Sequence, residues 1–217
     1  GQATMDLADV DVRRFHGWDW NRTYLAERTT ETVGTLYAMH WPYRQMETGR
    51  GLRRSPLHEA LKAEGAVYGQ VAGWERPNWF AFESQRPEYE YAWGRQNWHE
   101  NHRQEHMAVR EACGLFDMAS YGKLLVQGRD AEKLLSRLCS NNVAVPPGRI
   151  VYTQMLNPRG GIEADLTVMR LDADRFWVIT PCASTRRDLA WIEDHIADGE
   201  HVFATDLTSG TSAFSAV

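Results

Sequence analysis

The 217-residue chain predicts an α+β fold in two parts, divided near residue 100 into 1–100 and 101–217. Three observations carry that expectation. Beyond residue 100 the periodicities read strand, helix, three hairpin-linked strands, helix, strand, the pattern of helices layered on an antiparallel sheet. No G-x-G-x-x-G stands between a strand and a helix, so a doubly wound nucleotide-binding fold has no fingerprint here. Residues 83–101 are polar and aromatic without a period, and read as a linker wrapped on a surface.

Taken in order, residues 1–16 read as the exit from a preceding element: a polar opening, Val10 and Val12 in alternation, then two arginines. From Trp20 to about Met39 the spacing of Leu25, Val33, Leu36 and Tyr37 predicts a helix, stopped by Pro42. Ser55-Pro56 starts a short helix to about Ala63, and Gly65 ends it. Residues 65–82 mix strand-like residues with Gly and Pro, and are expected to be irregular or edge-strand material. A helix follows over His102–Cys113, with Met107, Ala108, Val109 and Ala112 as its apolar side.

"GLFDMASYGKLLVQG" predicts a strand, a turn and a second strand ending at Gly128. Asp130 is the expected cap of a helix with Ala131, Leu134, Leu135 and Leu138 inward. "IVYTQML", "ADLTVMRL" and "FWVIT" are hairpin-linked strands. Ser184 opens a helix with Leu189, Ile192 and Ile196 inward, and "HVFATDLT" is a strand. "TSGTSAFSAV" alternates as if a strand were about to continue. It would be an exposed edge, so the chain is expected to be part of a longer protein or to need a partner.

Composition excludes several classes. A net charge of −5 gives no footprint for nucleic acid, and no apolar run is long enough to span a bilayer. The three cysteines, Cys113, Cys139 and Cys182, form no C-x-x-C pair, so no zinc site or disulfide framework is expected and a reducing cytoplasm is the simplest fit. Neither a P-loop nor a G-x-S-x-G elbow is present. His102, Glu105 and His106 match H-x-x-E-H, but without a third ligand a polar helix face explains them better than a metal site. Seven of the nine tryptophans fall before residue 100, a cluster read as aromatic packing ahead of a ligand cage.

The stretch "LNPRGGIEADLTVMR" (156–170) concentrates the chemistry. Gly160-Gly161 tolerates positive φ and close approach of a ligand, and Glu163 and Asp165 follow on one strand face. A carboxylate entering an apolar strand can bond backbone N–H groups, pair with Arg149, Arg159 or Arg170, or line a cavity. All three fates are open on residue type alone.

"GLFDMASYGK", the "LN-x-x-GG-x-x-x-D-L-x-V" run and the hairpin after it resemble the aminomethyltransferase fold over about residues 100–217. That fold is shared by the glycine-cleavage T-protein and the folate-binding half of dimethylglycine and sarcosine dehydrogenases. Residues 1–100, through "DLADVDVRRF" and "LYAMHWPYRQMETGRGLRRSPLHEALKAEGAVYGQVAGWERPNWFA", resemble the stretch joining the flavin-dependent amine dehydrogenase domain to that folate domain.

The resemblance implies a parent enzyme that oxidises an N-methyl amine at FAD and passes the iminium carbon to tetrahydrofolate, giving 5,10-methylenetetrahydrofolate. It places Asp165 on the folate near its reacting nitrogen, and Tyr121, Tyr152, Trp177 and Ile179 around the pterin, whose flat ring suits such walls. The flavin-binding residues would lie upstream of residue 1 and further folate contacts beyond residue 217, so the isolated chain is expected to be inactive. The implied partners are the amine and folate, with a further subunit possible. Two departures bear on the ligand: Pro181 stands where Asn is common, removing a donor, and Tyr121 stands where Met is usual. The alternative is a non-catalytic binding or assembly module of the same fold.

Overall fold

A computed structural model describes residues 10–12 and 15–217. The expected entry through 1–16 lies mostly outside the described residues. The rest forms two compact units, one of Gly17–Ser120 with Ser212–Val217 and one built on Tyr121–Thr211. The division expected near residue 100 falls inside the first.

In the first unit, α1 (Arg22–Gly34) starts where the Asn21 side chain accepts from Tyr24 N at 3.1 Å. It ends at Gly34, short of the expected Met39, and of the expected apolar stripe Val33, Leu36 and Tyr37 are exposed. Polar residues dock it instead. The Glu31 carboxylate accepts from the backbone N–H of Glu47 and Thr48, both at 2.8 Å, and the Arg28 guanidinium donates to Gln70 Oε1 at 2.6 Å. α2 (His58–Ala63) follows as expected.

Residues 65–82 are more regular than their Gly and Pro content predicts. β1 (Ala66–Val71) and β2 (Trp74–Phe80) form an antiparallel hairpin turned at Ala72 and Gly73, both with positive φ. Pro77 lies opposite Tyr68, at the register shift between Val67 and Tyr68. A two-stranded ribbon has only edge strands, and a bulge needs no ladder N–H, so proline is tolerated there. Val67, Trp79 and Trp98 form the buried cluster, with Tyr89 and Tyr91 against it, and Trp79 stacks on Trp98 at a centroid distance of 6.2 Å. The tryptophans of this cluster are packing, as the composition suggested.

α3 (His99–Glu111) corrects a second expectation. Met107, Ala108 and Ala112 are exposed, and the helix reaches β2 through polar groups. Asn101 Nδ2 donates to Phe80 O at 2.6 Å, Phe80 N donates to Glu105 Oε1 at 3.0 Å, and His102 Nε2 lies 3.0 Å from Asn78 O. The H-x-x-E-H run is thus used in docking. β3 (Leu115–Asp117) pairs antiparallel with β9 (Phe214–Ala216).

The second unit is a five-stranded sheet in the order β5-β6-β7-β4-β8, antiparallel throughout. Its strands are β4 (Gly122–Gln127), β5 (Ile150–Leu156), β6 (Ile162–Asp172), β7 (Arg175–Thr180) and β8 (Phe203–Asp206). Alternate residues Leu124, Val126, Ala164, Leu166, Val168, Phe176 and Val178 are buried with Leu134, Leu135 and Leu138 of α4 (Ala131–Leu138) and Leu189 and Ile192 of α5 (Thr185–Asp194). The period of 2 on the strands meets the helical period of α4 and α5, and this one face makes the core. Ile196 packs against its edge, beyond the end of α5.

One capping expectation is corrected, and Ser184 opens α5 as expected. Asp130 precedes α4, but its carboxylate accepts from His201 N at 2.8 Å and makes no side-chain cap bond. Ser184 precedes α5 and donates its hydroxyl to Asp188 at 2.7 Å. At Gly128, φ is +130° and a Cβ would stand 2.1 Å from His201 O, so this turn requires glycine.

Candidate functional site

The face of the sheet opposite α4 and α5 carries the residues singled out from the sequence. Register fixes their neighbours. Tyr152 of β5 lies opposite Thr167 of β6, Thr167 opposite Ile179 of β7, and Ile179 opposite Lys123 of β4. One row along, Ile150, Met169, Trp177 and Leu125 pair in turn. At the other end Gln154 pairs with Asp165. The face therefore joins an apolar strip of Met169, Trp177 and Ile179 to a polar corner of Tyr152, Gln154 and Asp165.

Trp177 and Ile179 are half-buried, Asp165 is exposed, and Tyr152 is 62% exposed. Tyr121, half-buried, immediately precedes β4, and its carbonyl accepts from the ammonium of Lys123 at 2.7 Å. Lys123 itself is buried. Thus four of the five predicted residues lie on three adjacent strands of one face, and Tyr121 lies at the mouth of the fourth strand.

Both carboxylates meet neighbouring side chains. Arg170 is occupied elsewhere, pairing with Glu132 at 2.6 Å and donating to Val145 O at 2.9 Å. Glu163 is spent on structure, accepting from Asn157 Nδ2 at 2.7 Å. Asp165 instead meets side chains of its own face. Gln154 Nε2 stands 3.4 Å from Asp165 Oδ1, and the Tyr152 hydroxyl hydrogen-bonds the same carboxylate. That bond, with a smaller contribution from burial, holds the Tyr152 hydroxyl above its ordinary pKa.

Asn157 and Gln154 were missed in the sequence. The Asn157 side-chain oxygen accepts from Arg159 N and Gly161 N, both at 2.9 Å, while its backbone N donates to Gly161 O at 2.9 Å. One asparagine thus folds the double-glycine turn, with Gly160 at φ +79°, and holds Glu163 besides. An Asn-Pro dipeptide before two glycines signals a turn, but not which side-chain atoms close it.

A planar heterocycle with a polar edge suits this surface. The apolar strip offers flat contact, and the corner offers a carboxylate, a phenol and a carboxamide. The described residues contain no group of three or more His, Cys, Asp or Glu placed to hold a metal ion, and no helix among them is long and apolar enough to cross a membrane.

Comparison with known proteins adds independent findings. The GCVT N-terminal domain matches residues 57–216, and the FAD dependent oxidoreductase central domain matches residues 1–55. The chain is 43% identical over 209 residues to a 4-methylaminobutanoate oxidase (formaldehyde-forming) of Paenarthrobacter nicotinovorans, covering 96% of this chain and 25% of that protein. It is 37% identical over 196 residues to the human mitochondrial sarcosine dehydrogenase, covering 79% and 21%. It is 30% identical over 218 residues to a mouse mitochondrial pyruvate dehydrogenase phosphatase regulatory subunit, covering 96% and 24%. Among solved structures, the glycine cleavage system aminomethyltransferase T of Bartonella henselae superposes with a TM-score of 0.58 at 26% identity, covering 73% of this chain and 39% of that one. The chain spans about a quarter of the length of these curated relatives.

Proposed function

The chain belongs to the GCVT N-terminal domain family, joined to part of an FAD dependent oxidoreductase central domain, and from this membership we infer that its open sheet face is a folate-binding wall. The parent protein is read as a flavin-dependent N-methylamine dehydrogenase or demethylase, of the sarcosine or dimethylglycine kind, that hands the released one-carbon unit to tetrahydrofolate. The observation that carries this reading is the placement of Tyr152, Asp165, Trp177 and Ile179 on one face, with Asp165 not bound to any of the three candidate arginines in sequence. Amine and folate are the proposed partners, and the cytoplasm the proposed compartment.

FAD, when bound, supplies the two-electron oxidation of the amine; no described residue is assigned to it. This chain's residues act on the acceptor side. Trp177 and Ile179 present an apolar wall to one face of the pterin, and Tyr121 and Tyr152 border it. Asp165 accepts a hydrogen bond from a folate amine near the reacting nitrogen and stabilises positive charge developing there. Gln154 and Tyr152 are the side chains beside that carboxylate.

The test is product analysis with the protein that contains this chain. Given sarcosine or dimethylglycine and tetrahydrofolate, it should yield 5,10-methylenetetrahydrofolate, and Asp165→Ala should divert the carbon to free formaldehyde while flavin reduction continues. A wild type that leaves its flavin oxidised with every N-methyl amine would sink the reading. The regulatory subunit among the relatives supports a second reading, a binding or assembly module that keeps the fold without turnover. Absence of folate binding in both wild type and Asp165→Ala would favour it.

A further inference from the structure

β6 is much longer than its neighbour β7. Its pairing with β7 begins at Thr167, opposite Ile179, so Ile162–Leu166 have a strand partner only on the β5 side. That unpaired stretch carries Asp165. A strand segment with one bare side loses half its ladder, and its position must be set by something else.

The structure supplies a substitute from α5. Arg187 reaches past the end of β7 and donates from its guanidinium to Glu163 O at 2.6 Å. The guanidinium is in turn held by Asp188, with Arg187 Nε 3.1 Å from Asp188 Oδ1. Asp188 is buried, at 1% exposure, and its other oxygen accepts from the hydroxyls of Ser184 and Thr180. Thr180 is the last residue of β7. One buried carboxylate thus ties the end of β7, the first turn of α5 and, through Arg187, the free side of β6. A planar guanidinium can bond the carbonyl and the carboxylate together, which a lysine ammonium cannot do with the same geometry.

We propose that Arg187 and Asp188 are positioning residues for Asp165, fixing the height and direction of the β6 segment from which it meets folate. This rests on the reading of the open face as the folate wall. Arg187 touches Glu163, two residues from Asp165 on the same face, so a shift of that carbonyl moves the Asp165 carboxylate directly. The pair belongs to α5 and reaches the Asp165 strand through the bond from Arg187 to Glu163 O.

A double-mutant cycle read by tetrahydrofolate affinity tests this on the protein that contains the chain. Arg187→Gln is expected to weaken binding about tenfold in the wild-type background and to add nothing in an Asp165→Asn background, since coupled residues are non-additive by this order. Arg187→Lys should fall between wild type and Arg187→Gln, and it carries the same cycle if Arg187→Gln does not fold. Denaturation midpoints are taken alongside. Equal losses in both backgrounds, or a lower midpoint with unchanged affinity, would overturn the proposal while leaving the folate wall intact. A wild type that does not bind tetrahydrofolate would overturn the folate reading and this one with it.

Discussion

The two faces of the five-stranded sheet are built from the same strands by the same alternation, and they do opposite work. On the side of α4 and α5, Phe176, Leu124, Val126 and Val178 are fully buried against leucines and an isoleucine. On the other side the intervening residues, Tyr152, Asp165, Trp177 and Ile179, are exposed or half-buried. The first face contributes the hydrophobic free energy that holds the unit together. The second contributes little to that, so its residues are free to be chosen for a ligand. Substitutions on the two faces should therefore separate stability from binding.

The largest effect is expected on the core face. Phe176→Ala should cost about 3–5 kcal/mol, read from chemical denaturation, because a fully buried ring leaves a cavity that the sheet cannot close. A loss under about 1 kcal/mol there would mean that this core relaxes far more than close packing allows.

On the open face the order reverses. Trp177→Ala should lower tetrahydrofolate affinity about tenfold, as expected for loss of one aromatic stacking partner, with a smaller loss of stability than Phe176→Ala. Titration followed by fluorescence would check it. An unchanged affinity would remove Trp177 from the wall.

Asp165→Ala should leave the denaturation midpoint nearly where it was, within about 0.5 kcal/mol, since an exposed carboxylate supports no core contact. A large destabilisation would place Asp165 with Glu163 as a structural carboxylate.

The smallest effect is a titration. Tyr152 has its hydroxyl pKa raised above 10.0 by the hydrogen bond to Asp165. Between the unfolded and folded values the folded state holds the extra proton, so the stabilisation from this bond is present below pH 10 and lost as pH rises through the raised value. The phenolate absorbance assigned by difference with Tyr152→Phe should shift back toward the ordinary value in Asp165→Ala. No shift would mean that the two side chains do not share a proton-donating contact in solution.

What was legible in the sequence follows the same division. α4, α5 and β4 to β8 could be read because their apolar residues repeat with one clean period, and each period has a single core face to satisfy. The hairpin of β1 and β2 reads only as irregular or edge-strand material, because Gly69, Gly73 and Pro77 break the pattern, and the register shift that leaves Asn78 unpaired accommodates the proline. The docking of α1 and α3 escapes the apolar pattern for a different reason. Their apolar residues face away from the unit, and Glu31, Arg28, Asn101 and Glu105 make the contacts, which no periodicity rule reports. At the site, alternation placed Glu163 and Asp165 on one face, yet gave no means to tell them apart. Asn157 decides it, by reaching from the turn to take Glu163.

The central claim is that the open face is a folate wall whose working carboxylate is Asp165. The most direct measurement is equilibrium binding of tetrahydrofolate to the protein that contains this chain, compared between wild type and Asp165→Ala. The account predicts saturable binding by wild type and an affinity at least about tenfold weaker in the variant, the loss expected for a charge-assisted hydrogen bond. Equal affinities in the two, or no binding by wild type, would contradict it.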